Sequence, residues 1–86
     1  MRVNDKPLPG DLVIREQEDR SGLLVRTVWV ITSWPDADQT IAGPYQSYGY
    51  ALRQARGRLK DRSEQIWRNH GGTLGPERLE NVTFEH

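Results

Sequence analysis

The stretch that decides the fold is LLVRTVWVITSW, residues 23–34. It is rich in valine, isoleucine, threonine and tryptophan, which pack well on a pleated surface. Side chains alternate across a strand, and both faces of this strand would be largely apolar. One face would carry Leu23, Val25, Thr27, Trp29 and Ile31, and the other Leu24, Val28, Val30 and Trp34. The sequence therefore predicts a strand that is covered on both sides, with Trp29 in the core.

The flanking residues predict a hairpin around this strand. PDAD, residues 35–38, is typical of a turn, because proline favours the first central position and aspartates tolerate turn geometry. QTIAG, residues 39–43, would return as the partner strand, and Gly43-Pro44 would end the sheet. Upstream, DLVIRE, residues 11–16, predicts a short strand, and QEDRSG, residues 17–22, predicts a loop.

An amphipathic helix follows over residues 48–62. Ser47 is a suitable N-cap, since its hydroxyl accepts from an unpaired amide of the first turn. At 3.6 residues per turn, one apolar stripe forms and is expected to pack on the sheet. The stripe consists of Tyr48, Leu52, Ala55 and Leu59, with Ala51 beside it.

Residues 63–70, SEQIWRNH, allow two interpretations. They continue the helix as far as Gly71-Gly72, or EQIWR forms a third strand beside the hairpin. A helix over 48–70 would be about 34 Å long, which is long for a domain of this size, so we prefer the strand. The C-terminal residues 73–86 are expected to add a last strand or a docking segment, because LENVTFE, 79–85, alternates apolar and polar residues.

These patterns together predict an α+β fold with the order β-β-β-α-β. A small antiparallel sheet of three or four strands would carry one amphipathic helix packed on it. Residues 1–10, which contain two prolines, are expected to form a flexible N-terminal arm, and residues 11–86 a single domain.

Composition narrows the classes of function. The chain has 86 residues, no cysteine and zero formal net charge, so disulfides and thiolate metal sites are excluded. No apolar run has the length of a signal peptide or a membrane span, and we expect a cytoplasmic protein without a membrane partner. The basic residues concentrate at 53–62, and acidic residues near both termini are expected to neutralise them.

Three segments together resemble a pattern in short, uncharacterised bacterial and phage-associated proteins of unknown function. These are VWVITSW with its polar turn, then GPYQSYGYALRQAR, and then EQIWRNHGG, which cover residues 28–72. The resemblance implies a β-hairpin–helix–strand fold, and it implies no activity because the group has none that is agreed. Gly49 and Gly57 depart from the pattern, which has alanine or charged residues in the helix.

The sequence argues against an enzyme and against a metal protein. His70 lies in a predicted turn without a carboxylate or serine partner nearby in sequence, and His86 is the terminal residue. Asp36 and Asp38 offer oxygen ligands, but the further oxygens and the bidentate glutamate of a calcium loop are missing. We therefore expect no catalytic residue, no metal and no cofactor.

Two hypotheses for function remain. In the first, the chain is an accessory module that binds another protein, or itself as a homodimer, through an apolar sheet face with Trp34 and Trp67 as contacts. In the second, the helix flank formed by Arg53, Arg56 and Lys60 binds nucleic acid. Gly57 would then allow close approach, and exposed tyrosines at 45, 48 and 50 would stack on bases.

Overall fold

The structure is a computed structural model of the chain. It describes residues 6–60, 63–69 and 79–85, apart from the side chains at 37 and 38. The described residues form five strands and one helix. In chain order these are β1 (Leu12–Asp19), β2 (Arg26–Ser33), β3 (Asp36–Tyr45), α1 (Tyr48–Arg58), β4 (Ile66–Asn69) and β5 (Leu79–Asn81). The predicted α+β class is confirmed, and so is the strand predicted within residues 63–70, whereas His70 lies outside the described residues.

The sheet is mixed and has the order β3-β2-β1-β4-β5. β1 pairs antiparallel with β2, and β2 pairs antiparallel with β3, but β4 pairs parallel with β1. The prediction of an antiparallel sheet of three or four strands therefore holds for three of the four strand pairs, β4–β5 included, and is wrong in the parallel β1–β4 pair and in the number of strands. The reason is the helix, which carries the chain from β3 past β2 and β1, so that β4 runs in the same direction as β1.

Several predicted boundaries shift. β1 continues through Asp19, so residues 17–19 belong to the strand and the loop covers Arg20–Val25. β3 begins at Asp36, directly after a turn at Trp34-Pro35, instead of after the predicted PDAD turn. It also continues through the cis Gly43-Pro44 bond to Tyr45, where the sequence predicted the end of the sheet. Irregular register with β2 allows this, because bulges bend an edge strand without ending it.

The helix begins as predicted and ends earlier. The Ser47 hydroxyl accepts from the Tyr50 N–H at 3.2 Å, which confirms the N-cap. The helix ends at Arg58, where the Leu59 N–H donates to the Arg56 carbonyl, and residues 61–62 lie outside the described residues. The predicted stripe is confirmed, since Ala51, Leu52 and Ala55 are buried and Tyr48 and Leu59 pack against the same core.

The main core lies between the helix and one face of the sheet. Its strand residues come from four strands and from the segment after β5. They are Leu12, Ile14, Ile31, Ala42, Ile66 and Val82, with Trp29 and Tyr45 partly buried beside them. Since Val82 enters this core, the end of the chain stabilises the helix side of the sheet.

The opposite face of the sheet is also buried within the single chain. Val13 pairs with Thr32 on β2 and with Trp67 on β4, so these side chains share that face. Val13, Val30 and Trp67 are all buried. The homodimer hypothesis assumed an uncovered face, and this face is not open to a partner. The sequence predicted that residues 73–86 cover the second face of the sheet, and part of this segment lies outside the described residues.

A buried carboxylate joins three segments at one end of the sheet. The Asp11 side chain accepts from the Gln65 N–H at 3.0 Å, from the Leu8 N–H at 2.9 Å and from the Trp67 indole at 3.0 Å. Its backbone carbonyl accepts from the Trp34 N–H at 2.8 Å. Residues 8–10 of the predicted N-terminal arm are thereby attached to the sheet, and residues 1–5 lie outside the described residues.

A substitution at Gly43 tests the backbone conformation of β3. Its φ is +107°, and an added Cβ would lie 2.9 Å from the Trp29 carbonyl oxygen and 3.1 Å from the Val30 Cα. We expect Gly43→Ala to lower the free energy of unfolding by about 2 to 4 kcal/mol, because both the strained φ and the backbone clash oppose it. Chemical denaturation followed by circular dichroism measures the change.

Gly57→Ala is the matched control. Gly57 lies exposed in the helix, and no described atom would lie within 4 Å of its added Cβ. The same substitution should therefore raise the free energy of unfolding by up to about 1 kcal/mol. Equal shifts in the two variants would contradict the backbone path assigned to β3.

Candidate interaction surface

The β1–β2 hairpin projects beyond the rest of the sheet. The two strands pair from Leu12 and Ser33 at one end to Asp19 and Arg26 at the other. β4 pairs with β1 only as far as Arg15, and β3 pairs with β2 only as far as Trp29. Among the described residues, the hairpin beyond these positions therefore has no third strand beside it. We call residues 17–27 the hairpin extension.

The end of the hairpin extension is apolar and exposed. Leu23 is fully exposed in the loop, and Leu24 and Val25 expose 74% and 61% of their surface. We call these three residues the apolar tip. A single exposed leucine is ordinary on a protein surface, whereas consecutive exposed aliphatic residues on a projecting loop indicate a contact site.

Hydrogen bonds at its base shape the loop that carries the apolar tip. The Asp19 carboxylate accepts from the Ser21 N–H at 3.0 Å and from the Ser21 hydroxyl at 2.6 Å. These two bonds lower the pKa of Asp19 below its ordinary value of 3.8. Glu18 and Arg20 form an exposed ion pair at 2.6 Å, a type of contact that contributes little to stability. Asp19 is thus the residue that orders the start of the loop.

Sequence reasoning missed the apolar tip because it placed Leu23, Leu24 and Val25 inside a strand. Their composition suits a strand, and composition alone does not distinguish a strand from an exposed apolar loop. The turn residues Ser21-Gly22 directly before them were the available signal. A return strand that matches residues 12–19 in length begins only at Arg26.

The predicted basic flank is only partly a helix face, because Arg53 and Arg56 lie on α1 whereas Lys60 lies beyond the end of the helix at Arg58. Arg53 and Lys60 are exposed, and Arg56 is half-buried. The Nε and Nη2 atoms of Arg56 are shielded from solvent and make no hydrogen bond with the described residues. Arg56 and Arg58 lie in the last turn, where positive charge is favourable against the helix dipole. Helix stability is therefore a sufficient reason for part of this charge.

The acidic residues of the described termini do not lie against that flank. Asp11 is buried at the end of the sheet, and Glu85 lies beside Tyr48 at the start of the helix. Glu77, which the sequence also assigned to neutralise the helix, lies outside the described residues. Within the described ranges, Arg53, Arg56 and Lys60 make no ion pair.

Two of the three tyrosines near the helix start belong to the core. Burial, followed by the nearby Glu85 carboxylate, raises the pKa of Tyr48 to about 12. The Arg68 guanidinium lies 3.9 Å from the centre of the Tyr48 ring, and Tyr45 packs edge-on against Tyr50 at 5.3 Å. Tyr50 is exposed, so the predicted stacking surface reduces to one ring.

The two tryptophans predicted as contacts differ in burial. Trp67 is 2% exposed and donates its indole N–H to Asp11, so the prediction that it is an interface residue was wrong. The polar partner within the chain explains its position in the core. Trp34 is half-buried in the turn before β3, and its contact role stays a prediction.

A groove of about 550 Å³ lies at the other end of the hairpin, between the end of the helix and the start of β1. Leu12, Ile41 and Leu59 supply its aliphatic walls, and Ile41 exposes 44% of its surface. Arg58 and Lys60 lie at its rim with Glu64. The groove is thus lined by polar and aliphatic surface in similar amounts.

The remaining predicted groups give no site in the described residues. His70, His86 and the Asp38 side chain lie outside them. Within the described ranges, no three acidic or histidine side chains gather closely enough to hold a metal ion. The described helix is neither long nor apolar enough to cross a membrane.

Comparison with protein-family models, with curated proteins and with solved structures found no match. The resemblance of residues 28–72 to small hairpin–helix–strand proteins therefore stays a prediction.

The Asp19–Ser21 contact makes the loop sensitive to acid. Because the folded-state pKa of Asp19 is lowered, the contact is present at and above pH 3.8 and is lost as the pH falls through the lower folded value. We expect the NMR shift of the Ser21 amide to titrate with a midpoint below 3.8. Asp19→Asn, which keeps an acceptor oxygen and loses the titrating group, should abolish the transition. A midpoint at or above 3.8 in the native protein would contradict this contact.

Proposed function

We propose that the protein is a non-catalytic interaction module that binds another polypeptide through the apolar tip of the hairpin extension. The observation that carries this proposal is the consecutive exposure of Leu23, Leu24 and Val25 on a two-stranded projection. Exposed apolar surface has an unfavourable free energy of hydration, and this cost is removed when a partner covers the surface. We expect the module to act in the cytoplasm, as its composition indicates.

The size of the apolar tip indicates a transient contact. Full burial of a leucine or valine side chain contributes roughly 1.5–3 kcal/mol. Three such side chains, roughly 4.5–9 kcal/mol together, only match the roughly 4–15 kcal/mol lost when two molecules give up independent motion. Stable binding therefore also requires the polar sides of the hairpin extension, where Glu18, Arg20 and Arg26 are exposed.

This proposal retains the class of function predicted from the sequence and changes the contact surface. The sheet face and Trp67 are buried, so they do not supply the contact area. Trp34 lies at the end of β2 that is remote from the apolar tip, so a partner at the tip would not need it. The residues that matter are instead those of the hairpin extension, 17–27.

Nucleic-acid binding is a second candidate, and it rests on the helix flank. Arg53 and Lys60 are exposed, and neither side chain makes an ion pair with a described residue, although the Lys60 backbone N–H donates to the Glu64 carboxylate at 2.7 Å. Against this candidate, the chain has zero formal net charge, whereas phosphate neutralisation supplies most non-specific affinity for DNA. The half-buried Arg56 also reduces the number of accessible charges on the flank.

Site-specific photo-crosslinking separates the two candidates. A photoreactive amino acid would replace Leu24, Arg53 or Thr40 in turn, in the cells that produce the protein. Thr40 is the control, because it is exposed on β3 away from both surfaces. We expect discrete protein adducts at Leu24, identified by mass spectrometry, and none at Thr40.

The other outcomes decide against the leading proposal. Nucleic-acid adducts at Arg53, without protein adducts at Leu24, would favour the helix flank as the binding surface. Equal protein labelling at Leu24 and Thr40 would show that the apolar tip is not a specific contact.

A further inference from the structure

We draw no further inference here: the strongest candidate, the shallow depression that Pro44, Tyr45 and Tyr50 line at the start of the helix, carries nothing because no feature of the described residues shows what covers it.

Discussion

The structure depends on the buried carboxylate of Asp11. A carboxylate loses its hydration on burial, and that loss is tolerated only when donors within the protein replace the water. Asp11 is 2% exposed and accepts from two backbone amides and one indole, which belong to Leu8, Gln65 and Trp67. The segment before β1, the start of β4 and a core tryptophan are thereby fixed at one point. The β2–β3 turn is attached to the same residue, because the Trp34 N–H donates to the Asp11 backbone carbonyl.

The two ends of the sheet differ, and the Asp11 contacts lie at only one of them. At the Asp11 end, β1 has neighbours on both sides, and the helix and the turn leave a groove between them. At the other end β4 and β3 stop short, and the hairpin continues as a two-stranded projection. An isolated two-stranded ribbon is marginally stable, so the hairpin extension relies on the anchored half of the same strands. In the proposed function, this arrangement would hold the residues of the apolar tip on the anchored half of the hairpin.

The sequence was sufficient for the elements whose signals are local. The Ser47 cap, the stripe of Ala51, Leu52 and Ala55, and the strand around Ile66 follow from capping chemistry and periodicity. The direction of β4 does not follow from local signals, because it depends on the position at which the chain leaves the crossing helix. The burial of Trp67 depends on Asp11, which is 56 residues away in sequence.

The same limit applies to the candidate site. Leu23, Leu24 and Val25 have the composition of a strand, and only the pairing of Asp19 with Arg26 shows that they form a loop. Helical spacing predicted Arg53 and Arg56 on the helix, but the end of the helix before Lys60 and the half-burial of Arg56 were not predictable from it. The most direct test of the central claim is the free energy of unfolding of Asp11→Ala, measured beside Glu18→Gln as an exposed control. Loss of a buried, multiply bonded carboxylate should lower it by about 3–5 kcal/mol, with Glu18→Gln within about 0.5 kcal/mol of the wild type. Equal and small effects in both variants would contradict the role assigned to Asp11.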